Sequence, residues 1–117
     1  MKKLFRAGLC LFLAYCNPVF AVGAIAIDEQ SGKRDPGYGF YIGAYSREEA
    51  ERGAMRECRD SGNDHCRVAV WFETCGAYAA SRRYYGIGWG ATERRARRMA
   101  LENCGHERCR IVVLRCE

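Results

Sequence analysis

The chain has 117 residues, which is room for one domain, with eight cysteines and a net charge of +5. Three of the basic residues, Lys2, Lys3 and Arg6, precede an apolar run at 7–15 that is too short to span a membrane. Without residues 1–21 the charge falls to +2, so the rest of the chain is not a generally cationic protein.

Asn17-Pro18 breaks the apolar run, and Val19-Phe20-Ala21 offers small or apolar residues where a signal peptidase reads. Residues 1–21 therefore read as a secretory signal peptide cleaved after Ala21, with the periplasm or beyond as destination. A lipoprotein signal at Leu13-Ala14-Tyr15-Cys16 is the rival, but that box takes a small residue where Tyr15 stands.

Residues 22–117 form one expected domain made of two similar units, 22–74 and 75–117. In the first, Gly23-Ala24-Ile25-Ala26-Ile27 is a short apolar strand, and residues 28–37 make a charged connection with Gly32, Pro36 and Gly37. Tyr38-Gly39-Phe40-Tyr41-Ile42-Gly43 returns as a second strand. Ser46 caps a helix, with Glu49 completing a capping box, and Ala50, Ala54 and Cys58 fall on one helix face. Cys66 opens a third strand, Arg67 to Phe72, of alternating β-branched and aromatic character.

The second unit repeats each step. Gly76-Ala77-Tyr78-Ala79-Ala80 is a strand, Tyr85-Gly86-Ile87-Gly88-Trp89-Gly90 another, and Thr92 caps a helix with Ala96, Ala100 and Cys104 inside. Cys109-Arg110-Ile111-Val112-Val113-Leu114 closes the chain. Small residues on the helices, and Gly86, Gly88 and Gly90 on one strand face, predict close helix–sheet contact. Thr74-Cys75-Gly76 supplies turn chemistry, so the two middle strands read as a central hairpin. The expected fold is α+β: a duplicated β-β-α-β unit forming an antiparallel sheet with two packed helices. Phe40, Trp71, Phe72, Tyr85 and Trp89 are expected to fill its core.

Six cysteines lie beyond residue 21, an even number suited to disulfides in an exported chain. The repeat narrows their pairing. Cys58–Cys66 and Cys104–Cys109 each tie a helix end to the next strand, leaving Cys75–Cys116 to join the middle of the chain to its C-terminal strand.

These motifs together resemble the bacterial exported family catalogued as domain of unknown function 4189. The likeness rests on GAIA, the alanine helix ending in cysteine, CRVAVWF followed by CGAYA, then YGIGWGAT and CRIVVLRC. It covers nearly all of residues 22–117. It implies a small secreted or periplasmic α+β domain with disulfides, and it brings no catalytic residues.

Charge is divided between the units, −3 over residues 22–74 and +5 over 75–117. Arg94, Arg95, Arg97 and Arg98 make the strongest cluster, with Arg82 and Arg83 near in sequence. Glu93 before Arg97, and Arg98 before Glu102, at i,i+4 spacing, predict a solvated and ion-paired face. Leu101 borders that face, as Met55 does in the first helix. An apolar residue among arginines also suits a protein contact, and the tyrosines with Trp89 suit a binding groove.

His65 and His106 lie in loops without CxxC spacing, so no metal is expected. YGIGWGAT is a strand rather than a phosphate loop, so no cofactor is expected. Glu73 near Trp71 has the elements of a glycan-cleaving acid, but a turn acid is the ordinary reading. The function read from these residues is an exported, non-enzymatic factor that binds another protein: an inhibitor, an immunity factor or a host-directed secreted protein. Arg94, Arg95, Arg97, Arg98, Leu101 and Trp89 are its expected contacts. The alternatives are an enzyme acting on the cell wall or a glycan, and a module whose arginine helix binds polyanions or a membrane surface.

Overall fold

The structure, a computed structural model, describes residues 21–29 and 36–117. The expected signal peptide, Ala21 apart, and the middle of the charged connection at 30–35 lie outside the described residues.

Strand β1 (Val22–Asp28) lies between β2 (Gly37–Ala44) and β3 (Arg67–Phe72), antiparallel to both. Strand β4 (Cys75–Ala80) likewise lies between β5 (Tyr85–Gly90) and β6 (Arg110–Cys116). Each unit thus builds a three-stranded sheet of its own, so the strands divide between two sheets where one was expected. The presumed central hairpin is also a crossover, because β3 and β4 belong to different sheets.

Helix α1 (Arg47–Asp60) packs on β1 and β2, and helix α2 (Glu93–Cys104) on β4 and β5. The sheets face one another through Ile25, Ile27, Val70, Phe72, Tyr78, Ala80 and Val113. Four layers result, helix, sheet, sheet and helix. Both middle strands are buried along their whole length, since each has a helix on one face and a sheet on the other. Their sequences follow from this. Ala24 and Ala26 face α1, Ala77 and Ala79 face α2, and the larger Ile25, Ile27 and Tyr78 fill the space between sheets.

The repeat is exact enough to preserve irregularities. Ala69 and Val112 hold equivalent places, and each is the extra residue of a β-bulge, in β3 against β1 and in β6 against β4. Ser46 Oγ accepts the Glu49 N–H and Thr92 Oγ1 the Arg95 N–H, both at 3.1 Å. The Glu49 carboxylate reaches the Tyr45 N–H at 2.9 Å, one residue before the cap. Gly105, left-handed at φ 71°, ends α2.

Glycine sets the helix-to-sheet distance. A Cβ on Gly39 would lie 2.2 Å from the Cys58 nitrogen, and one on Gly86 would lie 2.2 Å from the Cys104 nitrogen. The obstacle is helix backbone, which cannot rotate away. Gly86→Ala is therefore expected to lower stability by about 1–3 kcal/mol, read from the denaturant midpoint. An unchanged midpoint would show that α2 slides freely.

One pair is exchanged between the units. In the first, Tyr41 of β2 lies over Gly53 of α1; in the second, Met99 of α2 lies over Gly88 of β5. The bulk has moved from strand to helix while the gap is filled in both. The helices also differ in sign. Arg47, Glu48, Glu49, Glu51 and Arg56 of α1 correspond to Glu93, Arg94, Arg95, Arg97 and Glu102 of α2.

All three expected disulfides are present. Cys58–Cys66 and Cys104–Cys109 tie each helix end to the following strand, and Cys75–Cys116 joins opposed residues of β4 and β6. Three such bonds belong to an oxidising compartment. Among the described residues no helix is long and apolar enough to cross a membrane.

Candidate functional site

The crossover from β3 to β4 positions the site. Strand β3 lies over β5, and at their shared end a cleft of about 650 Å³ opens. Residues 69–75 form one wall and Trp89, Gly90 and Ala91 the other. Successive side chains of a strand point to opposite faces, so consecutive residues line a cleft only when the strand's edge forms the wall. Among the described residues β3 pairs with β1 alone, so that edge is free.

Trp71 and Trp89 flank the opening and are 37% and 51% exposed. Trp71 pairs with Ala24 on the helix side of its sheet, and the Arg47 guanidinium stands 5.1 Å from its ring centre. Arg47 is held in turn by Glu51 at 2.8 Å. Phe72 lies beneath, its ring covering Gly23 and Gly76, where added Cβ atoms would approach it to 2.5 and 2.3 Å. Glu73 and Thr74 are exposed at the turn.

The opposite edge, where β2 meets β6, is the counterpart of this cleft and is bridged. The Gly43 N–H donates to Glu117 Oε1 at 2.8 Å, and Arg115 stands 4.3 Å over the Phe40 ring. Two edges of one repeated design therefore differ: one is closed by its own residues and the other is open between tryptophans.

The expected contact residues do not form one constellation. Trp89 lines the cleft, and Arg95 stands behind the rim, its Cβ 2.7 Å from where a Gly90 Cβ would be. Arg94, Arg97 and Arg98 are exposed on α2. The anticipated pairs Glu93–Arg97 and Arg98–Glu102 do not close; the ion pairs described are Arg47–Glu51 and Arg67–Glu29. Leu101 is half-buried in the cluster that holds Ile111 and Leu114, so it serves α2 packing rather than a free surface.

Trp71, Tyr85 and Trp89 are also more exposed than the expected core allowed, and Tyr78 takes the interior place instead. The edge position of β3 and β5 explains this, since only β1 and β4 are covered on every side. Trp71 is the functional candidate that sequence reasoning placed in the core. No local signal marks it. Alternation with the inward Val70 and Phe72 puts Trp71 on the helix side of its sheet, a side that is buried in β1, and only the edge position of β3 leaves it exposed.

A polar cluster occupies the far end of the sandwich. Arg67 binds Glu29 at 2.8 Å and meets the Tyr85 hydroxyl, and the Glu29 hydrogen bond holds its pKa above the ordinary value. Burial pushes the Tyr78 phenol up to about 12, so it stays neutral in the folded protein. Asp28, fully buried, accepts the His65 N–H at 3.1 Å. These groups anchor strand ends and loops. Among the described residues no three His, Cys, Asp or Glu side chains gather to hold a metal.

Fold and cleft together define a disulfide-stapled α+β domain of two units with an aromatic opening between β3 and β5 at one edge. The family model described as "Domain of unknown function (DUF4189)" matches residues 22–116, and the chain belongs to that family. No curated protein and no solved structure matches it.

Proposed function

We propose that this is an exported binding protein without catalysis of its own, which takes an extended segment of a partner protein into the Trp71–Trp89 cleft. The reading includes removal of residues 1–21 and release to the periplasm or beyond, where an inhibitor, immunity or host-directed factor acts. The observation that carries it is the difference between the two edges. The bridged edge is occupied by Arg115 and Glu117 of this chain, whereas the open one offers β3 backbone unpaired among the described residues beside two exposed indoles. A segment laid along β3 makes main-chain hydrogen bonds there, and its inward side chains meet Trp89 and Phe72. Tryptophan at such a position carries a large share of binding energy.

The test compares the oxidised wild-type domain with Trp71→Ala and Trp89→Ala in capture from periplasmic and secreted extracts. A protein retained by wild type at high salt should bind each variant about 30-fold more weakly, matching a loss of about 2 kcal/mol per hot spot. Circular dichroism should show the variants folded. Equal retention by wild type and both variants would remove the cleft from the account.

The unpaired arginines of α2 support one second reading, anion binding by that helix. Retention of polyanions alone, lost as salt rises and on changing Arg94, Arg95, Arg97 and Arg98 to Gln, would favour it.

A further inference from the structure

At the end of the sandwich away from the cleft, the β4–β5 turn and the α2–β6 loop enclose a second groove of about 280 Å³. Its lining is Ser81, Arg82, Arg83, Tyr84, His106 and Arg108. The lining residues carry three guanidiniums, an imidazole and two hydroxyl groups, and among the described residues no carboxylate lines this groove. Asp28 and Glu29 line an adjoining cleft that shares Ser81, Arg82, Arg83 and Tyr84, where Glu29 pairs with Arg67. None of the three arginines belongs to an ion pair described in the structure. Glu107, between His106 and Arg108, is not part of the lining.

The groove is built from two braced loops. In the turn, the Ser81 N–H donates to the Tyr84 carbonyl at 2.8 Å and the Tyr84 N–H to Ser81 Oγ at 3.2 Å. In the loop, the Cys104–Cys109 disulfide closes five residues of sequence, and the Cys109 N–H donates to the His106 carbonyl at 3.0 Å. The Arg108 N–H donates to His106 Nδ1 at 3.1 Å, which leaves Nε2 to carry the proton of the neutral ring. Tyr84 and His106 then stack, 5.1 Å between centres and 16° between planes, and so join turn to loop. Bringing like charges together without a counter-charge costs energy that a bound anion recovers. Forked guanidinium donors match the oxygens of a tetrahedral oxyanion better than those of a spherical ion.

We infer that this groove is a binding site for a single phosphate or sulfate group, carried by a phosphorylated or sulfated small molecule or sugar. The site is separate from the aromatic cleft and does not depend on the function proposed for it.

The test is titration of the oxidised protein with inorganic phosphate and with inorganic sulfate at fixed ionic strength, followed by amide NMR shifts. Sodium chloride at matched ionic strength serves as the control. The expected result is saturable shifts at residues 81–84 and 106–108, weakened about tenfold by Arg83→Gln or Arg108→Gln. Arg94→Gln on α2 should leave the binding unchanged. Tyr84→Ala, which removes the stack while keeping every charge, should weaken binding as well, separating a built site from mere positive charge. Shifts that chloride reproduces, or that survive both arginine changes, would overturn the assignment. Preference for phosphate over sulfate, or the reverse, names which of the two groups the site takes.

Discussion

Removing the Cys75–Cys116 bridge, by alanine at both positions, is expected to lower the unfolding free energy by about 4 kcal/mol, by the chain-entropy relation. The bond spans 41 residues of sequence, against 8 for Cys58–Cys66 and 5 for Cys104–Cys109. By the same relation the shorter bridges contribute about 2–2.5 kcal/mol each. Position adds to length. Cys75 is the first residue of β4 and Cys116 the last of β6, and they are opposed in the sheet, so the bond seals the end of the second unit. Urea unfolding of the oxidised double variant, beside the equivalent Cys58/Cys66 variant, reads the difference. A loss no larger than that of the short bridge would show that strain or residual structure offsets the entropy.

Phe72→Ala is the substitution expected to cost most without touching a disulfide, about 3–5 kcal/mol. Phe72 is 3% exposed and belongs to the layer between the sheets. Its ring also fills the space beside Gly23 of one unit and Gly76 of the other. Those glycines have no side chains with which to fill the vacancy, so the cavity stays open and the cost falls at the upper end of the usual range. Phe72→Leu, which keeps most of the volume, should cost clearly less. Calorimetry on both variants distinguishes the cases: a small loss in the alanine variant would mean that the two sheets close on each other.

Much of this architecture was legible because its signals are local. A cap, a Gly-X-Gly alternation and cysteines at helix ends each act within a few residues, and each occurs twice. The pairing of cysteines followed from that repetition, and the structure has all three bonds. The division into two sheets was not legible. β3 and β4 are joined by Glu73 and Thr74 alone, which is hairpin spacing, and nothing local tells a hairpin from a crossing between layers. What decides is non-local: Ile25 and Val70 pair in one sheet, Tyr78 and Val113 in the other, and their apolar faces then meet.

The candidate site was legible only in part, for the same reason. Trp89 reads both as an aromatic suited to a groove and as core, whereas Trp71 reads as core alone, because β-rich sequence around a tryptophan usually is. Its exposure follows from β3 being an edge strand, a property of the sheet order and not of the segment. The arginines of α2 were visible as a cluster. Their separation from Trp89 along the helix, and the use of Leu101 in packing, required the helix to be docked first.

Glu117 ties the end of the second unit to the start of the first. Its carboxylate holds Gly43, its second oxygen lies against Gly23, and its amide donates to the Thr74 carbonyl at 2.8 Å. Residues 22 and 117 are therefore neighbours, and the link that would join them is the symmetry mate of the Glu73–Thr74 crossover. Topologically the fold is a ring of two equivalent arcs, opened at one of its two junctions. A permuted chain that connects 117 to 22 and is cut between Glu73 and Thr74 would present the units in reverse order around an unchanged core. In such a chain the cleft would lie beside free ends, where the present protein has its bridged edge.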